Sequence, residues 1–411
     1  MSAEPHPAPA QRWLSIVGIG EDGVLGLGDE AKRLISQAEF VFGGKRHLAL
    51  AKELIRGEAL AWPSPFDAEM KALKKLAGRT VCVLASGDPF LHGVGATVAR
   101  TIPAAEFVTL PAPSAFSLVA SRLGWALQEV DTVSLHGKQI DLIRPLLHPG
   151  RRVIALTSDE HGPGEIASLL VSVGFGASEI TVLEALGGKD ERMTRHRTDE
   201  FASGAVSPLN VVAIDVKAAS DARVLALTPG LADELFEHDG QITKREIRAL
   251  TLSALAPRRG ELLWDIGAGS GSISIEWMLA DPSMRAIAIE VDPERAARVA
   301  RNAKQFGVPS LQIVTGSAPG ALAGLPQPDV IFVGGGGSET GVLDAAISAL
   351  KSGGRLVANA VTLEMETILI ERHARLGGDL VKLAVSRVAP IGSMSGWKPA
   401  LPITQWSWRK P

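Results

Sequence analysis

Short β-branched runs, each followed by a glycine-containing turn and then a stretch of helical periodicity, alternate along the chain. This alternation predicts parallel sheets with crossover helices, an α/β architecture. In the first half, strands are expected at Leu14–Ile19, Phe40–Phe42, Thr80–Ala85, Glu106–Leu110, Val153–Thr157, Glu179–Leu183 and Asn210–Asp215. A mixed segment ending in Thr228-Pro229-Gly230 then reads as a linker. A second series follows at Leu262–Ile266, Ala286–Glu290, Gln312–Val314, Val330–Val333, Arg355–Asn359 and Val381–Ser386, with Pro402–Ser407 as a closing antiparallel strand. Two domains are therefore expected, 13–216 and 231–411, joined by 217–230. The halves share a structural class but no sequence repeat.

Length agrees, since 411 residues exceed one ordinary core and suffice for two α/β domains. With 46% hydrophobic and 21% charged residues the chain has a globular composition. A net charge of −3 gives no reason to expect a nucleic-acid partner, which normally demands a basic excess. No run approaches the roughly 18 unbroken apolar residues of a membrane helix. The Pro/Ala-rich segment 1–11 lacks the cationic start and apolar stretch of a secretion signal. A cytoplasmic protein with no membrane partner is expected. The single cysteine, Cys82, excludes an intrachain disulfide and a cysteine-rich zinc site. Its apolar surroundings, Thr80 to Leu84, place it in a core, and no metal site is expected.

Candidate chemistry concentrates where Leu262–Ile266 runs into Gly267-Ala268-Gly269-Ser270-Gly271. Glycines let the backbone pass close to a ligand, and a helix opening at about Ser270 would present free N–H groups. The next strand ends in Glu290, 21 positions beyond Gly269, where a carboxylate can accept both hydroxyls of a ribose. Strand, glycine loop, helix, strand and acid fit either a nicotinamide cofactor or S-adenosyl-L-methionine. Three details favour the latter. Asp265 precedes the loop, where a pyrophosphate would make a carboxylate unwelcome. The spacing is G-x-G-x-G and not G-x-G-x-x-G. A further loop, Gly316-Ser317-Ala318, can cover an adenine. Thr243 reads as the N-cap of a capping box with Glu246, with its hydroxyl beside the donor pocket. The run Gly334–Gly337 at a strand's C-terminal end suggests backbone laid against a flat substrate.

These residues carry a family resemblance. Asp239–Arg248, Trp264–Trp277, Gly334–Gly337 and Met394-Ser395-Gly396-Trp397-Lys398-Pro399 resemble the decarboxylating precorrin methyltransferase domain of vitamin B12 synthesis. The first half is similar to the tetrapyrrole (class III) methyltransferases. The similarity lies in Val17-Gly18-Ile19-Gly20-Glu21-Asp22-Gly23, Ala85-Ser86-Gly87-Asp88-Pro89 and Pro111-Ala112-Pro113-Ser114-Ala115-Phe116. Gly43-Gly44-Lys45-Arg46-His47-Leu48 and Leu156-Thr157-Ser158-Asp159 resemble the corrin-ring members in particular. The opening loop departs from the Gly-x-Gly-x-Gly-Asp form of the wider group. Ser317 stands where many S-adenosylmethionine domains carry an aspartate.

The resemblance implies a two-lobed class III α/β domain followed by a Rossmann-like class I methyltransferase domain, each with one S-adenosyl-L-methionine site. The first site would use Gly18, Gly20, Gly87, Asp88, Pro89 and Ser114. The second would use Thr243, Asp265, Gly267, Ala268, Gly269, Ser270, Gly271, Glu290, Ser317 and Ala318. The implied substrate is precorrin-6B, methylated at C5 by the first domain and at C15 by the second. The second would also decarboxylate the ring C acetate, giving precorrin-8X. Cationic anchors for the substrate's carboxylates are sought in Lys244, Arg245, Arg248, Lys398, His136 and Lys138, with His92 a candidate pocket residue. A homo-oligomer is expected. Two other readings stay open: a methyltransferase of RNA or protein, which the acidic charge and the absence of tyrosine disfavour, and a fusion whose first domain only binds tetrapyrrole. No residue stands out as a catalytic acid or base.

Overall fold

The computed structural model describes residues 12–63, 66, 70–202 and 204–411. The Pro/Ala-rich segment 1–11 lies outside the described residues. The chain divides into two compact units, 1–140 with 146–223, and 141–145 with 224–411.

The first unit holds two five-stranded sheets. One contains β1 (Leu14–Ile19), β2 (Phe40–Gly43), β3 (Glu58–Ala61), β4 (Val81–Ser86) and β5 (Phe107–Leu110) in the order β3-β2-β4-β1-β5, all parallel. Both faces of β1 and β4 are buried, which explains their unbroken apolar runs. Cys82 lies inside this sheet, and burial pushes its thiol pKa up to about 12. The other contains β6 (Val130–Ser134), β7 (Arg152–Leu156), β8 (Glu179–Glu184), β9 (Arg192–Arg197) and β10 (Asn210–Asp215) in the order β6-β7-β10-β8-β9. It corrects the expectation of parallel pairing throughout: only β6 and β7 are parallel, and β10 runs antiparallel to both neighbours. β3, β6 and β9 are strands that the apolar pattern does not reveal. β3 and β9 are largely exposed edge strands, and β9 reads Arg-Met-Thr-Arg-His-Arg.

The second unit is built on a seven-stranded sheet. Its strands are β11 (Leu262–Ile266), β12 (Arg285–Glu290), β13 (Gln312–Thr315), β14 (Val330–Val333), β15 (Arg355–Ala360), β16 (Asp379–Leu383) and, after a separate hairpin, β19 (Ile403–Arg409). The hairpin is β17 (Ser386–Ile391) with β18 (Met394–Pro399). The sheet order is β13-β12-β11-β14-β15-β19-β16, parallel except for β19, which runs antiparallel to β15 and β16 as the closing strand is expected to do. The single strand expected over Val381–Ser386 is instead the end of β16 and the start of β17, separated at Ala384–Val385. Alternation fixes the core: Leu263 packs into one apolar layer, while Leu262, Trp264 and Ile266 pack into the other. β11 lies between β12 and β14, so strand order reverses at its C-terminal end, where α/β sheets leave a crevice for ligands. None of the described helices is long and apolar enough to cross a membrane.

Candidate functional site

The loop after β11 is shaped by three left-handed glycines: Gly267 (φ +74°), Gly269 (+60°) and Gly271 (+76°). Their reasons differ. A Cβ on Gly267 would stand 2.5–2.6 Å from the backbone of Gly335, and one on Gly271 would strike Val299 at 2.7 Å. A Cβ on Gly269 would find nothing nearer than the Gln241 carbonyl at 3.5 Å, because that residue faces a cavity. The helix that follows spans Ser272–Leu279, two residues later than the pattern suggests, since Gly271 in the left-handed region is its N-cap.

The cavity is about 1310 Å³, larger than the roughly 300–1,000 Å³ usual for one small-molecule ligand. Of the predicted site residues, Thr243, Gly267, Ala268, Gly269, Glu290, Ser317 and Ala318 all line it. The Glu290 carboxylate is only 4% exposed; one oxygen accepts from the Gly269 N–H (2.8 Å) and the other from the Asp292 N–H (3.1 Å). Each oxygen keeps a lone pair for a ligand hydroxyl. Ser317 is exposed, and its hydroxyl donates to the Ala318 carbonyl (3.2 Å).

Asp265, Ser270 and Gly271 do not line the cavity. Asp265 is buried beneath the loop, where Oδ2 accepts from the Ser274 N–H (3.1 Å) and hydroxyl (2.6 Å), and Oδ1 has no partner. Burial raises its pKa to about 6; the Ser274 hydrogen bonds oppose this, and the nearby Glu290 charge adds to it. The Ser270 hydroxyl is likewise buried and unpartnered.

Several expectations need correction. Thr243 is not the helix cap: the helix spans Arg245–Leu255 with Lys244 at the N-cap and no side-chain capping bond. The Thr243 carbonyl instead accepts from Arg248, and Glu246 pairs with Arg387. Arg248 cannot anchor substrate, because it is fully buried, ion-paired to Glu276 (2.6 Å) and Asp233 (3.2 Å), and stacked over Phe236. Lys244 lines the cavity but pairs with Asp233, while Arg245 is outside it. Of the Gly334–Gly337 run, the first three line the cavity, and Gly335 also receives Gly267.

In the first unit the order β4-β1-β5 brings three sequence-distant loops side by side. A Cβ on Gly18 would stand 2.0 Å from the Gly87 carbonyl oxygen and 2.6 Å from the Ala112 nitrogen, so the loops touch through backbone. Gly87 takes φ +54°, and a Cβ there would meet the Pro113 carbonyl oxygen at 2.8 Å. A Cβ on Gly20 would press on the Asp22 carboxylate. Asp88 accepts from the Phe90 N–H (2.8 Å), which fixes a turn; the Pro89 carbonyl accepts from Gly95. Ser114 caps the helix Ala115–Leu123 by accepting from the Ser117 N–H (3.1 Å). His92 sits at φ +59° edge-on to Phe116, and His136 Nδ1 lies 3.2 Å from the Thr157 carbonyl oxygen.

Residue patterns missed two groups. Arg46, His47, Glu21 and Ser86 meet at the ends of β1, β2 and β4: Arg46 pairs with Glu21 and donates to the Ser86 hydroxyl (2.7 Å), which lies 2.8 Å from His47 Nε2. Burial and the Arg46 charge lower the His47 pKa to about 4. The β17–β18 hairpin brings Arg387 to the second unit's cavity; its two-residue Gly392-Ser393 turn was the available signal. Among the described residues, no cluster of three or more His, Cys, Asp or Glu is placed to hold a metal.

Residues 14–202 match the tetrapyrrole (corrin/porphyrin) methylases and residues 234–410 the precorrin methyltransferase domain. A protein of Sinorhizobium sp, precorrin-6Y C(5,15)-methyltransferase [decarboxylating], is 65% identical over 405 residues, 98% of each chain. The chain belongs to that family. A Salmonella typhimurium relative, cobalt-precorrin-6B C(15)-methyltransferase (decarboxylating), is 36% identical over 42% of this chain and 92% of its own. A crystal structure of the C-terminal domain of the Rhodobacter capsulatus precorrin-6Y C5,15-methyltransferase is 49% identical, covering 45% of this chain and all of that one, with a TM-score of 0.43.

Proposed function

We propose that the chain methylates precorrin-6B at C5 and C15 with S-adenosyl-L-methionine and removes CO2 from the ring C acetate, yielding precorrin-8X. The observation that carries this is the cavity itself, with Gly269 open towards it and the Glu290 carboxylate on its wall. These residues fit the donor. Glu290 offers lone pairs to ribose hydroxyls, and the Gly269 backbone admits close approach. The Ser317–Ala318 loop has room for adenine beside it. Asp265 acts from beneath, tying the end of its strand to the first turn of the following helix through Ser274 rather than touching the ligand. We propose a second donor site in the first unit at Gly18, Gly20, Gly87, Asp88, Pro89 and Ser114. Support comes from the three loops converging at the carboxyl ends of β1, β4 and β5.

The donor supplies an activated sulfonium methyl. The meso carbons of a reduced tetrapyrrole are enamine-like nucleophiles, so the protein's task is alignment, which can contribute several kcal/mol. The cavity wall around Ile266, Ile273, Ile289 and Phe332 is apolar and excludes water from the reacting atoms. Loss of the acetate carboxyl as CO2 leaves an electron pair that the conjugated ring absorbs until a proton from solvent reaches the former methylene carbon, so no strong protein base is needed. We assign C15 methylation and decarboxylation to the second unit and C5 methylation to the first. We further propose a cytoplasmic homo-oligomer without nucleic-acid or membrane partners; the net charge of −3 supports the lack of a nucleic-acid partner.

The test is incubation of the purified chain with precorrin-6B and methyl-labelled donor, followed by mass analysis of the tetrapyrrole and capture of CO2. Two methyl groups gained and one CO2 released are expected. Label appearing in RNA or protein and none in the tetrapyrrole would overturn the assignment.

A further inference from the structure

The hairpin of β17 and β18 places Arg387 directly opposite Lys398, so both side chains project from the same face, and both line the cavity. Like charges facing one another across a strand pair are destabilising, and a two-stranded ribbon has little stability to spare. Arg387 is partly offset by Glu246, which occupies one end of its guanidinium and leaves other N–H donors free. No hydrogen bond or ion pair to the Lys398 ammonium is seen among the described residues. Two opposed cations on one cavity wall, one without a counter-charge, are arranged for an anion from outside the chain.

From this pair we infer a carboxylate clamp: Arg387 and Lys398 grip one or two peripheral carboxylates of the tetrapyrrole. By holding its rim, they set which meso carbon faces the Gly267–Gly271 loop. The inference rests on the proposed substrate and names the groups that recognise it. Both residues are exposed at the cavity's edge, as a group binding the ring periphery must be, whereas Glu290 is buried further in. Alternation puts Val388 and Trp397 on the opposite hairpin face, 62% and 73% exposed; Val388 also reaches the cavity wall, whereas Trp397 does not line it. These are positioning residues. They make and break no bond.

The clamp is tested by titrating the full chain, Lys398→Gln, Arg387→Gln and Lys398→Arg with precorrin-6B, with its carboxyl-methylated ester, and with S-adenosylhomocysteine. A lost charge-assisted contact is expected to weaken binding of the acid about 10- to 100-fold in each glutamine variant. Affinity for the ester and for S-adenosylhomocysteine should stay at the wild-type value, and Lys398→Arg should bind the acid as wild type does. Unchanged binding of the acid in both glutamine variants would overturn the clamp, as would a parallel loss for acid and ester, which marks a purely structural role. A wild-type chain that binds S-adenosylhomocysteine but neither acid nor ester would overturn the substrate assignment, and the clamp with it.

Discussion

Replacing Gly267 and Gly269 by alanine separates the two jobs of the glycine loop. Both residues have positive φ, so each substitution costs about 1–2 kcal/mol in backbone conformation. At Gly267 the new methyl also stands 2.5–2.6 Å from three backbone atoms of Gly335, which cannot rotate away. Overpacking of that kind adds about 1–3 kcal/mol. At Gly269 the nearest atom is 3.5 Å away, so no such term arises, but the methyl enters the space proposed for the donor. Gly267→Ala is therefore expected to lose about 2–5 kcal/mol of stability, and Gly269→Ala only about 1–2. Thermal unfolding of the two variants, at about 2–4 °C per kcal/mol for a unit of this size, reads the difference directly. Titration with S-adenosylhomocysteine should show that Gly269→Ala, the more stable variant, still binds the donor product at least tenfold more weakly than wild type. Equal stabilities, or full donor affinity in Gly269→Ala, would refute this division.

Other residues give independent outcomes. Arg248→Met leaves Glu276 and Asp233 without their buried counter-charge and should cost roughly 3–5 kcal/mol in urea unfolding. Asp265 has a folded pKa raised to about 6 from 3.8, so the folded state binds the proton more tightly and stability rises as pH falls through that window. The gain should approach roughly 3 kcal/mol only below pH 3.8 and be missing from Asp265→Asn when the two are compared by denaturant unfolding. His47 works in the opposite sense: its folded pKa is lowered from 6.5 to about 4, so its stabilising share is lost as pH falls between those values. His47→Gln should therefore lose less stability than wild type on acidification. Glu290→Gln should weaken S-adenosylhomocysteine binding about 10- to 100-fold, with far-ultraviolet circular dichroism unchanged.

Most of the strands were legible because their residues are buried on both faces, which writes a continuous apolar run into β1, β4, β11 and β14. β3 and β9 were not, since edge strands with exposed faces carry no such run. Gly269, Glu290 and Ala318 were readable as cavity-lining residues because each follows or ends a parallel strand at the sheet's carboxyl edge, where α/β folds leave a crevice. Arg248 misled because sequence does not reveal that Glu276, on another helix, reaches it. Thr243 misled because Lys244 supplies the N-cap backbone geometry without any side-chain bond. Arg387 was invisible as a site residue because only strand register sets it opposite Lys398.

The proposed mechanism requires one chain to hold two methyl donors. Equilibrium titration of the intact chain with S-adenosylhomocysteine tests it most directly. Two equivalents should bind per wild-type chain, falling to one in Glu290→Gln at ligand concentrations that saturate only the unaltered site. A wild-type stoichiometry of one would contradict the claim and leave the first unit without a donor of its own.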